Sequence, residues 1–207
     1  CLQRIGRLDE ARATFTRLVG VAPDGVGAWE RLGCLDKEAW AASWRLPGHT
    51  PEQMRSDAAY EEAQLREAIA SYSRAFRICP GHYLSGINAV MLMQVYRHLT
   101  ADSRYHAEAA VMSGGVAWAA RCERDEANAY LAGVCLGWLS ILGDDVAAVG
   151  AAYREAVALA DNDWLALRTT HGHLSVLADL GFRPEQVSVA LATLERALQR
   201  LQPQASQ

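Results

Sequence analysis

The chain has 207 residues, of which 51% are hydrophobic and 21% charged, a balance that excludes disorder and leaves enough apolar material for a substantial core. A formal charge of -4 and a pI near 5.9 give no basic field for a nucleic acid backbone. The longest apolar runs, AVMLMQVY and LAGVCLGWLSILG, are too short and too interrupted to span a bilayer, so neither nucleic acid nor membrane is expected as a partner.

Ala, Leu, Glu and Arg dominate and no segment alternates apolar and polar residues in the manner of a strand, so the chain is predicted to be all-α. In chain order, RLDEARATFTRLV forms a first helix with Ala11 and Phe15 on one face, stopped by VAPDGVG. A second helix runs from about Gly25 to Trp44 and carries Lys37, Trp40 and Trp44 at helical spacing before LPGHTPE breaks it. The distance from Ala11 to Ala68 is much longer than one repeat of ~34 residues and predicts a long or additional helix between Trp29 and Tyr60. LREAIASYSRAFRICP then places Ala68, Tyr72 and Phe76 on one face and ends at CPGH.

The helix that follows, YLSGINAVMLMQVY, is apolar nearly all round, which predicts a central, buried position. Further breaks are expected around TADS, at SGG, LGDD, ADND and GFRPE, giving about nine helices in total. Small residues at helical spacing, as in Ala11, Ala68 and Ala190, suit the close helix approach of tetratricopeptide repeats, although the period is not a clean ~34 residues. The expected architecture is a degenerate tetratricopeptide-like helical-hairpin solenoid forming a single domain over residues 1–202. Its last helix acts as a cap, and residues 203–207 form a tail.

Five cysteines, Cys1, Cys34, Cys79, Cys122 and Cys135, show no CxxC spacing and suit small buried or reduced thiols in a cytoplasmic protein. The first residue is Cys1 rather than Met, so the sequence is expected to be a piece of a longer chain.

Three places could carry chemistry. Asn88 enters the apolar helix one turn from its start, where an unpartnered amide would cost about 1–3 kcal/mol. Either Asn88 ties neighbouring elements together, with Ser85 capping the helix, or Ser85, Gly86 and the free amides of the helix start hold a phosphate to which Lys37 adds charge. Lys37 itself either snorkels over apolar surface or, with Trp40, forms a cationic and aromatic wall for a base-containing ligand. In DWLALRTTHGHLSVLADLG, the stripe Leu167, Thr170, Leu174 and Leu177 is core. The stripe Trp164, Arg168, His171 and Ser175 is either a solvated face, a contact with a neighbouring helix, or a surface for a phosphate and a ring. His171 and His173 are two apart on a helix and chelate poorly, so no metal is expected, and Asp161 to Asp163 reads as a helix cap. No nucleophile elbow, phosphate-binding loop or metalloprotease motif is present in the sequence, and neither catalysis nor a cofactor is expected.

The order of LGCLDKEAW, ASYSRAF and HYLSGINAVML resembles the TRAFs-binding domain of the apoptosis signal-regulating kinases, whose bacterial relatives are termed TPR-S. The matching positions are Leu32, Gly33, Lys37 and Trp40, then Ala75 and Phe76, then Tyr83, Ser85, Gly86, Ile87, Asn88 and Ala89. The resemblance extends over roughly residues 8 to 200. It departs from the family in NAYLAGVCLGWLSILGD, where Leu136 takes an acidic position and Gly133 a threonine position, while the Gly143-Asp144 turn is kept. The resemblance implies a regulatory, non-catalytic domain. In bacterial immune systems such domains accompany effector domains and have been proposed to sense nucleotide-derived signals, and the Ala-, Arg- and Trp-rich composition looks bacterial. The candidate ligand-binding residues are Lys37, Trp40, Tyr83, Ser85 and Asn88 at family-matching positions, with Trp164, Arg168 and His171 from the helical stripe, and the implied partners are a small nucleotide-derived ligand and an effector domain or protein. The alternative is a protein-interaction scaffold that takes a peptide or subunit in the same groove.

Overall fold

A computed structural model describes residues 8–123 and 125–201. Among these residues the chain is all-α: ten α-helices and a short 3-10 turn over Glu126–Asn128, with no strand. The helices are α1 (Leu8–Val21), α2 (Val26–Trp44), α3 (Pro51–Tyr60), α4 (Glu62–Ile78), α5 (Tyr83–Thr100), α6 (His106–Arg121), α7 (Ala129–Ile141), α8 (Val146–Ala158), α9 (Trp164–Asp179) and α10 (Pro184–Leu201). They pack in neighbouring pairs in the manner of a tetratricopeptide-like solenoid. Cys1 and the tail at 203–207 lie outside the described residues.

The chain divides into two compact units, residues 1–119 and 120–207. In the first, α2 packs against α1, α3 and α4, and α5 packs against α3 and α4. The helix α5 buries Ile87, Ala89, Val90, Met91, Leu92, Met93, Val95 and Tyr96, the all-round burial expected of a central helix. The helix α6 turns the stripe Ala109, Met112 and Val116 inward. In the second unit, α8 packs against α7 and α10, and α10 also packs on α9. The stripe Leu167, Thr170, Leu174 and Leu177 of α9 is buried. Tyr130 of α7 joins it through hydrogen bonds between its hydroxyl and Thr170 Oγ1 at 2.8 Å and the Ala166 carbonyl at 3.3 Å.

Two boundaries differ from the sequence reading, which is why ten helices stand where about nine were expected. The SGG at 113–115 does not break α6: Ser113 donates its hydroxyl to the Ala109 carbonyl at 2.7 Å, and Gly115 lies against the Phe76 ring. The break falls instead after Arg121, where Asp125 caps the 3-10 turn by accepting from the Ala127 amide. The second difference is the join of α3 and α4 at Glu61, which has no Gly or Pro to mark it. Here the Trp40 indole donates to the Ala58 carbonyl at 3.1 Å, the acceptor that an unbroken helix would offer to residue 62. A contact 18 residues distant in sequence therefore claims the carbonyl at the break.

The additional helix expected between Trp29 and Tyr60 is α3. It starts on a capping box: Thr50 Oγ1 accepts from the Gln53 amide at 3.2 Å, Gln53 Oε1 accepts from the Thr50 amide at 2.8 Å, and Pro51 takes the first position. The Asp-Asn-Asp run is a turn and cap, with Asp161 and Asn162 at positive φ and Asp163 accepting from the Ala166 amide at 2.9 Å. Near the LGDD turn, Arg183 donates to Asp144 Oδ1 at 2.9 Å and to the Leu142 carbonyl at 3.2 Å, fastening the α7–α8 corner to the start of α10.

Candidate functional site

The first unit brings Lys37 and Asn88 together across 51 residues of sequence. Gly33 and Lys37 lie one turn apart on α2, and the Tyr72 ring of α4 is pressed against them. A Cβ at Gly33 would stand 2.8 Å from ring atoms of Tyr72, so only glycine leaves the ring its seat. The Lys37 ammonium lies 5.7 Å from the centroid of that ring and donates to Asn88 Oδ1 at 2.8 Å, while Asn88 Nδ2 donates to the Leu84 carbonyl at 2.8 Å. Both Lys37 and Asn88 are half-buried. The amide therefore spends one end on its own helix and the other on α2, which is the tying role considered for it.

The electrostatics of this cluster follow from its burial. Removal from water holds the Lys37 amine below its ordinary value, an effect that Cys34, Glu38 and Glu30 oppose. Its hydrogen bond goes to a neutral amide, which supplies a dipole but no counter-charge. Burial, followed by the neighbouring Cys34 and Glu30, pushes the Tyr72 phenol well above the usual range, so Tyr72 stays neutral and acts through its ring face.

The start of α5 is built differently from either sequence reading. Its N-cap is His82, not Ser85, and the Ser85 and Gly86 amides both donate to the His82 carbonyl, at 3.1 and 3.4 Å. Ser85 is fully buried, and its hydroxyl shares a hydrogen bond of 2.9 Å with His82 Nδ1. Gly86 does make a close approach possible, but to protein: a Cβ there would collide with Val116 of α6 and stand 2.8 Å from the Phe76 ring of α4. This glycine therefore serves helix packing, and its neighbours leave no space for an anion. Tyr83 is likewise buried.

Trp40 is 1% exposed, and its ring meets Trp44 edge-on at 5.3 Å between centroids. With its N–H on Ala58, it is a core residue with no face left for stacking on a ligand. The aromatic partner of Lys37 is Tyr72, which the sequence reading placed on a repeat face without assigning it to the site. The spacing of Gly33 and Lys37 marked one face of α2, but nothing local indicated which ring would cover it.

The second unit holds Trp164, Arg168 and His171 on α9. Trp164 and Arg168 are exposed, while His171 is half-buried and pairs through Nε2 with Glu195 Oε1 of α10 at 3.3 Å. His173 turns elsewhere, meeting the Trp138 ring edge-on at 6.3 Å. Among the described residues, no three His, Cys, Asp or Glu side chains are placed to hold a metal ion, and no helix is long and apolar enough to cross a membrane. At the two positions where α7 departs from the family pattern, Gly133 lies directly against Ala156 of α8 and Leu136 is half-buried.

A helical-repeat module with a half-buried cation at the contact between its helices is thus the class that fold and site define. Residues 1–93 match the model of the family described as Tetratricopeptide Repeats-Sensor, TPR-S, the family whose motifs the sequence resembles. The matched segment contains the whole Gly33, Lys37, Tyr72 and Asn88 cluster. No curated protein matches the chain. Among solved structures, the crystal structure of BtubC (BKLC) from P. vanneervenii is 18% identical, with 100% of this chain and 96% of that chain covered. Its TM-score is 0.35.

Proposed function

We propose that this regulatory repeat module is a sensor of a small nucleotide-derived signal, and that it passes the binding event to an attached or partner effector in a bacterial immune or stress pathway. The observation that carries the reading is the Lys37 ammonium, half-buried within the TPR-S-matching segment and held by the neutral amide of Asn88. A ligand phosphate that draws this ammonium away would exchange an amide dipole for a full counter-charge. It would also release a tie between α2 and α5. The ligand would shift the module between two arrangements in proportion to its differential affinity for them. In the second unit, exposed Trp164 and Arg168, with His171 beside them on α9, are the residues proposed to contact ligand or partner. Tyr83 and Ser85 would act from beneath by positioning the start of α5. The four described cysteines are in no disulfide, in keeping with work in the cytoplasm.

Thermal unfolding against a panel of nucleotides and cyclic ADP-ribose-type molecules tests this reading. A ligand at about 100 times its Kd adds roughly 2.7 kcal/mol to stability. The expected result is a rise in Tm with one compound that Lys37→Ala abolishes. An equal rise in Lys37→Ala would remove Lys37 from the site. No rise with any compound would favour the second reading, a scaffold for a protein partner. That reading has its own observation: Val111 and Trp118, seven residues apart on α6, are 78% and 73% exposed.

A further inference from the structure

The second unit contains a cavity that none of the residues discussed above line. It lies between α8 and α10, has a volume of about 330 Å³, and is bordered by three arginines, Arg154 from α8 and Arg196 and Arg200 from α10. Arg196 and Arg200 are one turn apart, so both guanidinium groups leave α10 on the side that faces α8. Below them the lining is apolar or hydroxylic, with Val157 on one wall and Ala197 and Thr193 buried on the other. All three arginines are exposed, the usual posture of a long cationic side chain whose stem covers apolar surface.

We propose that this cavity is an anion site for a small molecule carrying at least two linked phosphates. Three observations lead there. First, three arginines and no carboxylate are among the lining residues, in a chain whose net charge is -4. Second, Arg196 is braced by neutral acceptors, its Nε donating to the Ala192 carbonyl at 3.0 Å and its Nη2 to Thr193 Oγ1 at 3.4 Å, which fixes the guanidinium without neutralising it. Third, the acidic residue beside it in sequence, Glu195, is engaged with His171 of α9. Guanidinium forks match phosphate oxygens two at a time, and forks from two helices suit an anion with more than one phosphate. The volume falls at the small end of ligand pockets, about 300–1,000 Å³, which is too small for a long acidic peptide and adequate for a diphosphate with a compact apolar group over Val157 and Ala197.

Isothermal titration of the full chain with inorganic pyrophosphate at low salt provides the test. The site predicts saturable binding of one pyrophosphate, weaker binding of orthophosphate, and loss of affinity as salt is raised. Arg196→Ala/Arg200→Ala should weaken pyrophosphate by at least about tenfold, since each charged hydrogen bond lost is worth more than one decade. Arg196→Lys/Arg200→Lys, which keeps the charge but not the fork, should fall between the two. Circular dichroism checks that each variant is folded at the titration temperature, and the lysine pair keeps most of the apolar stem that the alanine pair removes. Lys37→Ala should leave pyrophosphate binding unchanged, so this site and the Lys37 reading fail independently. Absence of saturable binding, or equal binding by the double alanine variant, would overturn the assignment. So would a hexaglutamate peptide binding in an arginine-dependent way where pyrophosphate does not.

Discussion

In each unit a tyrosine ring sits on a helix glycine, and the two seats differ at the next turn. In the first, Tyr72 of α4 covers Gly33 of α2, and four residues on stands Lys37, bonded to Asn88. In the second, Tyr153 of α8 covers Gly137 of α7, with a Cβ there standing 3.0 Å from the ring, and four residues on stands Ile141, wholly buried. A cysteine lies near each phenol, half-buried Cys34 in one and buried Cys135 in the other. The packing device is the same, a missing Cβ that lets an aromatic ring lie on a helix backbone. Only the first unit places a charge beside it. This difference separates what holds a repeat together from what could make it respond to a ligand.

The largest expected effect comes from filling the seats. Gly33→Ala should cost roughly 1–3 kcal/mol, because the Tyr72 ring must move and the Lys37–Asn88 contact with it. Gly137→Ala should cost less, since the added methyl meets the Tyr153 ring at 3.0 to 3.3 Å rather than 2.8 Å. Amide hydrogen exchange followed by mass spectrometry reads each unit separately. Equal deprotection of α2 and α7 by their respective variants would break the comparison.

Next in size is the polar tie. Lys37→Met gives the first seat an apolar residue like that of the second, and leaves Asn88 Oδ1 without its donor, at a cost of about 1–2 kcal/mol. Asn88→Leu should cost a similar amount, and the double variant less than the sum, because the two share one hydrogen bond. Chemical denaturation of the four proteins completes that cycle. The pH dependence has a definite sign. Burial holds the folded-state Lys37 amine below its ordinary 10.5, so between those two values the unfolded chain binds more protons and the Lys37 contribution to stability rises with pH. Lys37→Met should remove that rise when the two proteins are compared across the same range.

A smaller effect is expected from the phenol of the second unit. The Tyr153 hydroxyl is buried without a hydrogen-bond partner, so Tyr153→Phe should be neutral or stabilising by up to about 1 kcal/mol. Tyr72→Phe should show no such gain, because Cys34 neighbours its hydroxyl as a hydrogen-bond partner. The smallest effect is kinetic. Burial pushes the Cys135 thiol up to about 12, so in the folded chain it should label with maleimide far more slowly than half-buried Cys34, as mass spectrometry of peptides would report.

Much of the architecture was legible because local rules fixed it. Helical periodicity, the break at LPGHTPE, the Asp163 cap and the buried stripe of α9 all depend on residues within a turn or two of one another. The site was legible only in part. The order Gly33, Lys37 and Asn88 stood out through its family resemblance, and the fold joins Lys37 to Asn88, while Trp40 carried the same mark and is core. Two tryptophans one and two turns beyond a lysine look alike on a helical projection whether they face a ligand or the interior.

By itself, then, the sequence determined an all-α repeat chain and its central helix α5, since hydrophobic period and capping chemistry act over short distances. Tertiary structure alone decided that Lys37 meets Asn88 and has the Tyr72 ring beneath it, that Gly33 and Gly86 are seats for side chains, that the break at Glu61 lies where Trp40 reaches Ala58, and that Arg154, Arg196 and Arg200 border one cavity. Each of these depends on which helices become neighbours. Neighbours are chosen by the fit of whole faces, a property of the assembled core that no single helix contains.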